Sequence, residues 1–390
     1  MIEHFHRWLE AHEGSDWHWY VKRLSANDTL ATESHQAGPY LPNEQAFLLF
    51  PSLRASQDPN PKVSLSGSVD SHDLPDRELT VTWYRAAKNE CRITRWGGRS
   101  SPVLDPDSTG SVTVFAFRKP TDADADHVSA WVCSVPEEEL LIERVGVVDP
   151  GRPLLVSILA REAISAIGPG SCSLTPGTIP AGWLHQFPTG EEIVRKCVEL
   201  RPCHHQSADE RLIARRNCEF EMFRSIESLH VLPRVQLGFQ SIDEFIEYSH
   251  TINNRRKSRS GRSLELHVKG ILTEESVKFS HGEISERNKR PDFLFPSSED
   301  YRHHRKPLWM LAAKTTCKDR WRQILNEADL IPRKHLLTLQ EGVSLNQFQE
   351  MRDAGVTLVV PAELHGKYPK AVRPELMTFS AFISLVKHYP

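Results

Sequence analysis

The chain has 390 residues, of which 39% are apolar and 25% are charged, and its formal net charge is −3. This length is sufficient for two domains with separate cores, and the composition excludes a disordered, collagen-like or membrane protein. Its opening residues, MIEHFHRWLE, lack the basic and then apolar layout of a signal peptide, so we expect a cytoplasmic protein.

The net charge hides an asymmetry between the two halves of the chain. Residues 1–170 hold 16 Lys and Arg against 24 Asp and Glu, whereas residues 171–390 hold the remaining 32 and 27. Three dense basic clusters lie in the second half: RRKSRSGR at 255–262, ERNKR at 286–290 and RHHRK at 302–306. Such clusters usually form solvated surface, but several in one domain favour a polyanionic partner.

The first half consists of short apolar or alternating runs separated by Pro, Gly, Asp and Ser, the pattern of an all-β barrel or sandwich. The predicted strands are QAFLLF, LTVTWY, SVTVFAF, VSAWVCSV and ERVGVV. We predict helices at 3–12 and 153–167. The stretch 168–182, GPGSCSLTPGTIPAG, has no periodic apolar face and predicts a linker. We therefore assign one domain to residues 1–170, a linker to 171–184 and a second domain to 185–390.

The apolar period changes in the second half of the chain. Helical spacing predicts three helices, in DERLIARRNCEFEMFRSIESLHVL, FQSIDEFIEYSHTIN and RSLELHVKGILTEE. Three candidate strands follow: DFLFP, LWMLAAK and LVVP. Helices that alternate with apolar strands indicate an α/β domain of a catalytic type.

Seven cysteines are scattered along the chain, and none is spaced as CxxC. An odd number without that spacing predicts reduced thiols rather than a disulfide framework or a zinc ribbon. The one cluster that suggests a metal is Cys203, His204 and His205, with Cys197 and Cys218 nearby. Its spacing fits no zinc finger, so zinc is the weaker alternative there.

Two predicted strands end in charge: Asp292 precedes the strand of DFLFP, and Lys314 closes LWMLAAK. A carboxylate that holds Mg²⁺ and an ammonium that orients water are what phosphodiester hydrolysis requires. Nucleases of this type have an acid two residues before the lysine, but here that position is Ala312. A second ligand must come from elsewhere. Glu327, on a helix predicted at 319–329, is one candidate, and Glu265, on an upstream helix, is a further candidate for the outer or second metal position.

The alternative is a purely structural role, in which Asp292 is a turn residue and Lys314 is a strand end whose ammonium reaches solvent. The segment KDRWR after Lys314 favours the functional interpretation. Arginine donates two hydrogen bonds to guanine and aspartate accepts one from cytosine, so Asp319 and Arg320 can read one C·G pair from a helix start. Here too a purely structural alternative remains, in which Asp319 and Arg320 belong to an exposed, salt-bridged first turn of a helix.

The sequence also resembles a known family over nearly its full length, in the same domain order. PDFLFP, AKTTCKDRWRQILNEAD, HLLTLQEGVS and LVVPAELHGKYP resemble the C-terminal nuclease domain of the EcoRII family of restriction endonucleases. VKRLSANDT, SHDLPD and RITRWG resemble its N-terminal effector-binding domain. The resemblance implies a mainly-β B3-like pseudobarrel followed by an α/β domain with the PD-(D/E)xK restriction-endonuclease fold.

The resemblance implies a type IIE enzyme: a homodimer that cuts duplex DNA at 5′-CCWGG (W is A or T) with Mg²⁺ and needs a second copy of the site as effector. The products would carry 5′-phosphate and 3′-hydroxyl ends, and a cognate DNA cytosine methyltransferase would protect host sites in the prokaryotic cytoplasm, where the nucleoid is the substrate. Autoinhibition, with effector domains over the active-site cleft until DNA binds, is also implied.

Residue by residue, the resemblance assigns three groups of functional positions. The catalytic acid, lysine and displaced acid match Asp292, Lys314 and Glu327, with Glu265 as an additional glutamate and Asp292 and Glu327 as the metal ligands. Lys318, Asp319 and Arg320 match the residues that read the inner C·G pairs, and Arg216 matches an arginine for the outer pair. The positions that match the effector-binding set are Lys22, His35, Tyr40, Lys88, Glu90 and Arg92.

One departure from the family concerns Cys91, where members of the family carry a basic residue, so we expect weaker effector binding.

Two rival functions remain. A regulator that binds DNA without cutting it would lack Mg²⁺-dependent turnover. A metal-dependent nuclease of RNA or structured DNA would not prefer the CCWGG sequence.

Overall fold

The computed structural model of the protein describes residues 2–32, 38–86, 88–157, 162–165, 172–203 and 205–388. They divide into two compact units. Unit 1 comprises Met1–Ala166, Gln340–Glu350 and Gly366–Pro374. Unit 2 comprises Ile167–Leu339, Met351–His365 and Glu375–Pro390. Among the described residues, no helix combines the length and the apolar character needed to cross a membrane.

Unit 1 is mainly β and is built on one nine-stranded sheet. Its strands are β1 (Trp17–Arg23), β2 (Tyr40–Leu41), β3 (Lys62–Val69), β4 (Leu74–Tyr84), β5 (Glu90–Thr94), β6 (Val112–Arg118), β7 (His127–Val132), β8 (Leu154–Ser157) and β9 (Glu162–Ser165). The order across the sheet is β2-β5-β4-β3-β7-β6-β1-β8-β9. All pairings are antiparallel except that of β3 with β7.

Both faces of this sheet are covered, because apolar side chains point to each side in turn along the central strands. The helices of the first half are α1 (Ile2–Ala11), α2 (Asn43–Leu49), α3 (Pro51–Ala55) and α4 (Val135–Val145). On one face, Tyr20 of β1 packs in the cluster that holds Leu49 of α2. On the other face, Trp19 packs with Phe5 of α1 and Leu141 of α4.

Three element predictions in the first half are wrong. QAFLLF lies mostly in helix α2, whose buried residues include Ala46 and Leu49 at helical spacing. ERV of ERVGVV ends helix α4, which begins with a capping box between Ser134 and Glu137 that fixes a helix there. Residues 154–157 and 162–165 are strands instead of a helix, because β8 pairs with β1 and β9 pairs with β8.

Unit 2 packs long helices against a five-stranded mixed sheet. Its helices are α5 (Ala181–His185), α6 (Gly190–Leu200), α7 (Ala208–Leu237), α8 (Ile242–Glu274), α9 (Ser298–Arg302) and α11 (Phe379–Lys387), while α10 (Leu345–Asp353) spans the boundary between the two units. Capping boxes start α6, between Thr189 and Glu192, and α7, between Ser207 and Glu210.

The strands of this sheet are β10 (Ser280–His281), β11 (Phe293–Phe295), β12 (Trp309–Lys314), β13 (Lys334–Thr338) and β14 (Val356–Val359), in chain order across the sheet. β10, β11 and β12 are antiparallel neighbours, and β12, β13 and β14 are parallel. One face of the sheet packs on Leu264 and Val268 of α8 and on Phe382 of α11. This packing fixes the ends of β11 and β12 relative to α8.

Two of the helices predicted in the second half are one continuous helix. Apart from residues 239–241 and 275, the predicted segments 239–253 and 262–275 lie in the single 33-residue helix α8. The basic cluster 255–262 contains no proline, so the helix continues through it, and its Gly261 weakens a helix interior without ending it.

The prediction of reduced thiols is wrong for one pair of cysteines. Cys172 and Cys218 form a disulfide across 46 positions of sequence. Cys172 lies in the stretch that we expected to be a free linker, but its backbone N–H donates to Glu221 of α7, and that of Leu174 donates to Ser225. Sequence spacing gave no sign of the pair because a contact between a loop and a helix leaves no local motif.

Candidate active site

The structure brings Asp292 and Lys314 together, as the sequence predicts. β11 and β12 pair with Phe293 opposite Leu311, which places Asp292, just before β11, beside the end of β12. The Asp292 Oδ2 atom accepts one hydrogen bond of 2.8 Å from the Ala313 backbone N–H and another of 2.8 Å from Lys314 Nζ. Both side chains are largely buried, which makes this charged pair unlike an ordinary surface ion pair.

Burial and a second carboxylate shift the pKa of Asp292 in the same direction. Burial raises the pKa of Asp292, and the negative charge of Glu265 raises it further, while the Lys314 ammonium opposes both. Carboxylates whose pKa is shifted by burial and by a specific charged neighbour cluster at functional sites.

Glu327 is the third acid of the site, and it lies past the end of a helix rather than on one. The predicted helix 319–329 is a 3-10 helix, Arg320–Asn326, and Glu327 follows it in extended conformation. Burial raises the pKa of Glu327 to about 7, with a further contribution from Asp292. Its Oε2 atom is buried and has no hydrogen-bond partner in the part of the chain that the structure describes.

Position 312 holds an alanine, whereas the carboxylate of Glu327 lies close enough to Asp292 to interact with it electrostatically. Ala312 is fully buried in β12 and lies opposite Leu336 of β13. It points to the same side of the strand as Lys314, since alternate residues share a face. The chain has a methyl group there and presents the third carboxylate from the loop that leads to β13.

Glu265 lies on α8, as predicted, and contacts a residue that the sequence reasoning missed. Its Oε2 atom lies 3.6 Å from Nε2 of His281 on β10. A single histidine in a two-residue strand carries no spacing signal, so only the fold could identify it. The pair of Glu265 and His281 forms one wall of the site, next to Phe293, whose ring centroid is 4.9 Å from that of His281.

The donor set suits a hard divalent cation. Asp292 and Glu327 offer carboxylate oxygens, and one oxygen of Glu327 is both buried and unpartnered. Mg²⁺ is commonly held by one or two carboxylates together with waters and substrate phosphates, so a pair of acids is enough. Among the described residues, no three His, Cys, Asp or Glu side chains form a group that could hold a metal alone. Cys203 and His205 are therefore not part of such a group, and His204 lies outside the described residues.

The segment predicted to read DNA directly follows β12, which ends at Lys314. Lys318 is half-buried, while Asp319 and Arg320 are exposed at the start of the 3-10 helix. The Asp319 side chain makes no capping hydrogen bond. Thr315, just before this segment, donates to the Ser260 carbonyl of α8, which ties it to the basic cluster of that helix.

Arg216 is placed differently from these exposed residues. It is only 6% exposed, and its guanidinium donates to Glu219 at 2.7 Å and to the hydroxyl of Ser263 on α8. In this form of the protein, Arg216 joins α7 to α8 from the inside, so a role in reading DNA requires that this internal pairing open.

Four of the predicted effector-binding residues line one cavity of about 170 Å³ in unit 1: Lys22, Tyr40, Glu90 and Arg92. Their charges are paired internally. Lys22 Nζ lies 2.7 Å from Asp28, a fully buried acid that the sequence reasoning missed, and Arg92 Nε donates to Glu90 at 2.9 Å. Burial lowers the pKa of Lys22, and the Asp28 charge opposes that shift.

The other members of the predicted effector set fall outside this paired group. Lys88 is exposed, with its Nζ atom 4.0 Å from Glu90, and His35 lies outside the described residues. Cys91 is fully buried in the core of unit 1, between Glu90 and Arg92, which line the cavity. Since neighbouring strand residues face opposite sides, position 91 affects the core and makes no surface contribution to the cavity.

Comparison with known proteins confirms the resemblance found in the sequence. A family model described as "Restriction endonuclease EcoRII, N-terminal" matches residues 13–158, and one described as "EcoRII C terminal" matches residues 223–383. The type II restriction enzyme EcoRII of Escherichia coli is 44% identical over 399 residues, which covers 98% of this chain and 97% of that protein.

Two solved structures that resemble part of the chain are protein–DNA complexes, of Ecl18kI and of the restriction endonuclease PspGI. Metal-depleted Ecl18kI with uncleaved, modified DNA is 18% identical, with a TM-score of 0.43 over 55% of this chain and 84% of that one. The PspGI–substrate DNA complex is 13% identical, with a TM-score of 0.43 over 55% of this chain and 97% of that one.

Proposed function

The chain belongs to the EcoRII family of type II restriction endonucleases, which makes it a site-specific deoxyribonuclease, and on that premise we propose that it cleaves duplex DNA at 5′-CCWGG with Mg²⁺. The observation that supports this most directly is the arrangement of Asp292 and Lys314 at adjoining strand ends beside the unpartnered carboxylate of Glu327. The same arrangement supports a PD-(D/E)xK type of nuclease fold for unit 2, in which Glu327 takes the place of the missing acid. The mainly-β unit 1 would be its B3-like pseudobarrel.

The side chains of the site have separate tasks in this reaction. Asp292 and Glu327 would hold Mg²⁺, which would polarise the scissile phosphate and make its bound water a stronger acid. Lys314 would position the attacking water and offset negative charge that gathers on the phosphorus oxygens. Glu265 would support the site from α8. The water oxygen forms a bond to phosphorus while the bond from phosphorus to O3′ breaks, which leaves 5′-phosphate and 3′-hydroxyl ends.

Sequence readout would come from the segment that follows the catalytic strand. The exposed Asp319 and Arg320 can accept from cytosine and donate to guanine of one inner C·G pair, with Lys318 beside them. Arg216 would read the outer pair after release from Glu219 and Ser263. Because Thr315 is hydrogen-bonded to α8, readout and catalysis would be held in one rigid frame.

A second CCWGG copy would bind unit 1 and stimulate cleavage. The cavity lined by Lys22 and Arg92 is also lined by Glu341 and Lys367, which belong to the C-terminal stretches of unit 1. A phosphate group of effector DNA that enters this cavity would displace Glu341, an acid that competes with phosphate for the same cations. The stretch that contains Glu341 begins at Gln340, soon after β13 ends at Thr338. Displacement of Glu341 by the effector would therefore be transmitted along the backbone to β13, and this would relieve autoinhibition.

The active form would be a homodimer, because each chain supplies one set of catalytic residues and a duplex has two strands to cut. Exposed apolar side chains on the hairpin of α7 and α8 supply a surface that a second copy would cover: Leu232, Val235, Leu237, Ile242, Phe245 and Ile246. The enzyme would work in the prokaryotic cytoplasm, where a cognate cytosine methyltransferase protects host sites.

The test is cleavage of two matched plasmids that carry one or two CCWGG sites, in Mg²⁺, with the cut ends sequenced. Binding of a CCWGG duplex is measured in parallel, and RNA and scrambled duplex serve as alternative substrates. We expect cutting of the two-site plasmid and little of the one-site plasmid. Equal cutting of both would keep the site-specific nuclease and remove the effector requirement. Specific binding without any cutting would identify a DNA-binding regulator, and cutting of RNA or scrambled duplex at the same rate would identify a nuclease without sequence preference.

A further inference from the structure

The backbone turns sharply directly after the third acid of the site. Glu327 is extended, but the next residue, Ala328, has φ of 49° and is fully buried. A residue with a Cβ atom rarely adopts this left-handed conformation, and it persists only where the surroundings hold it in place. The direction in which the Glu327 side chain leaves the backbone therefore depends on whatever holds this turn.

Lys334, the first residue of β13, holds the turn from inside the protein. It is 4% exposed, and its Nζ atom donates to the Glu327 carbonyl and, at 2.7 Å, to the Ala328 carbonyl. The Ala328 carbonyl also accepts from the Ile331 backbone N–H at 2.9 Å. Lys334 itself is fixed because its strand pairs with β14 at Val356.

A second set of contacts fixes the rest of the loop. The Asp329 backbone N–H donates to Glu286 at 2.9 Å, and that of Leu330 donates to the Tyr301 hydroxyl at 3.1 Å. Tyr301 in turn donates to Glu286. Residues 329–330 are thus held through their N–H groups. Residues 327–328 are held through their carbonyls, by Lys334 and Ile331, and through the Glu327 N–H, which donates to the Ile324 carbonyl at 3.0 Å.

The contacts of Lys334 leave the Glu327 carboxylate free to bind a ligand. The ammonium donates to backbone carbonyls, and Glu327 Oε2 has no hydrogen-bond partner among the described residues. A lysine that bound the carboxylate itself would neutralise it and compete with a cation. Lys334 instead binds the backbone carbonyls of this turn. It thereby directs the Glu327 carboxylate toward Asp292 and makes no hydrogen bond to that carboxylate itself.

We propose that Lys334 is a positioning residue for metal binding: it fixes the Ala328 turn so that the Glu327 carboxylate, together with Asp292, can hold a divalent cation. This inference rests on the proposed function, since it assumes that Glu327 is a metal ligand. Lys334 itself touches neither DNA nor metal. Its loss should weaken binding of the cation and leave recognition of the DNA sequence intact.

The experiment compares Lys334→Met, which keeps the apolar stem but no donor, with Lys334→Arg, which keeps donors. Mn²⁺ binding to the full chain on a CCWGG duplex is measured by electron paramagnetic resonance, alongside the metal dependence of cleavage, duplex affinity without metal, and thermal unfolding. We expect Lys334→Met to weaken Mn²⁺ binding roughly tenfold or more and to change duplex affinity by less than about threefold, with partial rescue by Lys334→Arg.

A double variant separates positioning from general damage. In a Glu327→Ala background, Lys334→Met should cause no further loss of Mn²⁺ affinity, because residues that act through one another are not additive. Equal losses in both backgrounds, or unchanged Mn²⁺ binding by a folded Lys334→Met, would overturn the inference. If Lys334→Met does not fold, Lys334→Arg in both backgrounds decides the matter by the same criterion. If the wild-type chain neither binds Mn²⁺ nor cleaves, the proposed function fails instead.

Discussion

The ammonium of Lys314 lies 2.8 Å from the Asp292 carboxylate, at the point where β12 ends and β11 begins. The same carboxylate oxygen accepts from the Ala313 backbone, so Asp292 is oriented by the strand as well as by the lysine. Loss of Lys314 should therefore leave Asp292 in place and remove a positive charge from the site.

We expect Lys314→Ala to retain specific binding of a CCWGG duplex and to cleave on the order of 10²- to 10³-fold more slowly, because the water and the phosphate oxygens lose a preorganised cation. Single-turnover cleavage and duplex binding without metal measure the two effects. The matched control is Lys196→Ala, which removes a lysine paired with Glu199 at 2.9 Å outside the site. Loss of duplex binding by Lys314→Ala, with the control intact, would show that the lysine is structural.

Glu327 should make the metal-free protein less stable as the pH rises. Its pKa in the folded chain is about 7, above its ordinary value of 4.5, so the folded state holds a proton that the unfolded state has released between these values. The unfolded chain ionises freely, whereas the folded chain must bury a charge.

We therefore expect Glu327→Gln to unfold at nearly the wild-type temperature near pH 5, and at a higher temperature than wild type at pH 8, in the presence of a chelator. Added Mg²⁺ should reduce this difference at pH 8, because only the wild type can bind the cation with this carboxylate. Thermal unfolding across the pH range checks both expectations. A constant difference between the two proteins at every pH would contradict the raised pKa.

Arg320 is exposed shortly after the end of β12, so its loss should change DNA recognition without unfolding the protein. If it donates to guanine, Arg320→Ala should cost about 1–3 kcal/mol of specific binding and reduce discrimination at one base pair. Competition between CCWGG duplex and duplexes with one substituted pair measures this. Arg322→Ala is the control from the same 3-10 helix, and it should change affinity without changing the order of preference.

Lys88 is the best probe of effector binding, since it is exposed whereas Lys22 and Arg92 are buried and internally paired. We expect Lys88→Ala to lower the affinity of unit 1 for a second duplex and to reduce the dependence of log affinity on log salt concentration by about 1. Stimulation of one-site DNA by added oligonucleotide provides the readout. Lys62→Ala, at an exposed position of β3, serves as the control. A salt dependence identical to wild type would exclude a phosphate contact by Lys88.

The disulfide can be tested by counting thiols. Five of the seven cysteines are free, so alkylation of the denatured, unreduced chain should modify five, and alkylation after reduction should modify seven. Because the bond spans 46 positions, its reduction should lower the free energy of unfolding by up to about 4 kcal/mol in the chain-entropy model. Cys203→Ser, at a half-buried free cysteine, should not change this effect. Seven modified thiols before reduction would contradict the bond.

The parts of the site that the sequence could predict are those with a local signal. Asp292 and Lys314 stand at the ends of apolar strands, so their proximity follows from strand pairing, and the resemblance pointed to Glu327. Lys334 and His281 gave no such signal, because each acts through a contact made only in the folded chain. The burial of Arg216 was equally hidden, since its partner on α8, Ser263, lies 47 positions away.

The errors in secondary structure have a similar cause. Short apolar runs such as QAFLLF fit a strand or a helix equally well, and only neighbouring contacts decide between them. Residues 154–157 and 162–165 are strands because β8 pairs with β1 on the side opposite β6, and β9 pairs with β8. Periodicity identified the two ends of α8, but it could not join them through a polar, glycine-containing segment that tertiary contacts hold in helical form.

The length of helix α8 limits which insertions and deletions the enzyme can accept during evolution. It spans about 50 Å at 1.5 Å per residue, and one continuous rod carries both Ser263, which bonds to Arg216, and Glu265, which faces His281. A single inserted residue would turn everything beyond it by about 100° and carry one of these contacts away from its partner. Loops elsewhere tolerate insertions freely, but this helix can change length only in near-whole turns. Among relatives, we expect the spacing between the basic cluster and Glu265 to vary less than almost any other distance along the chain.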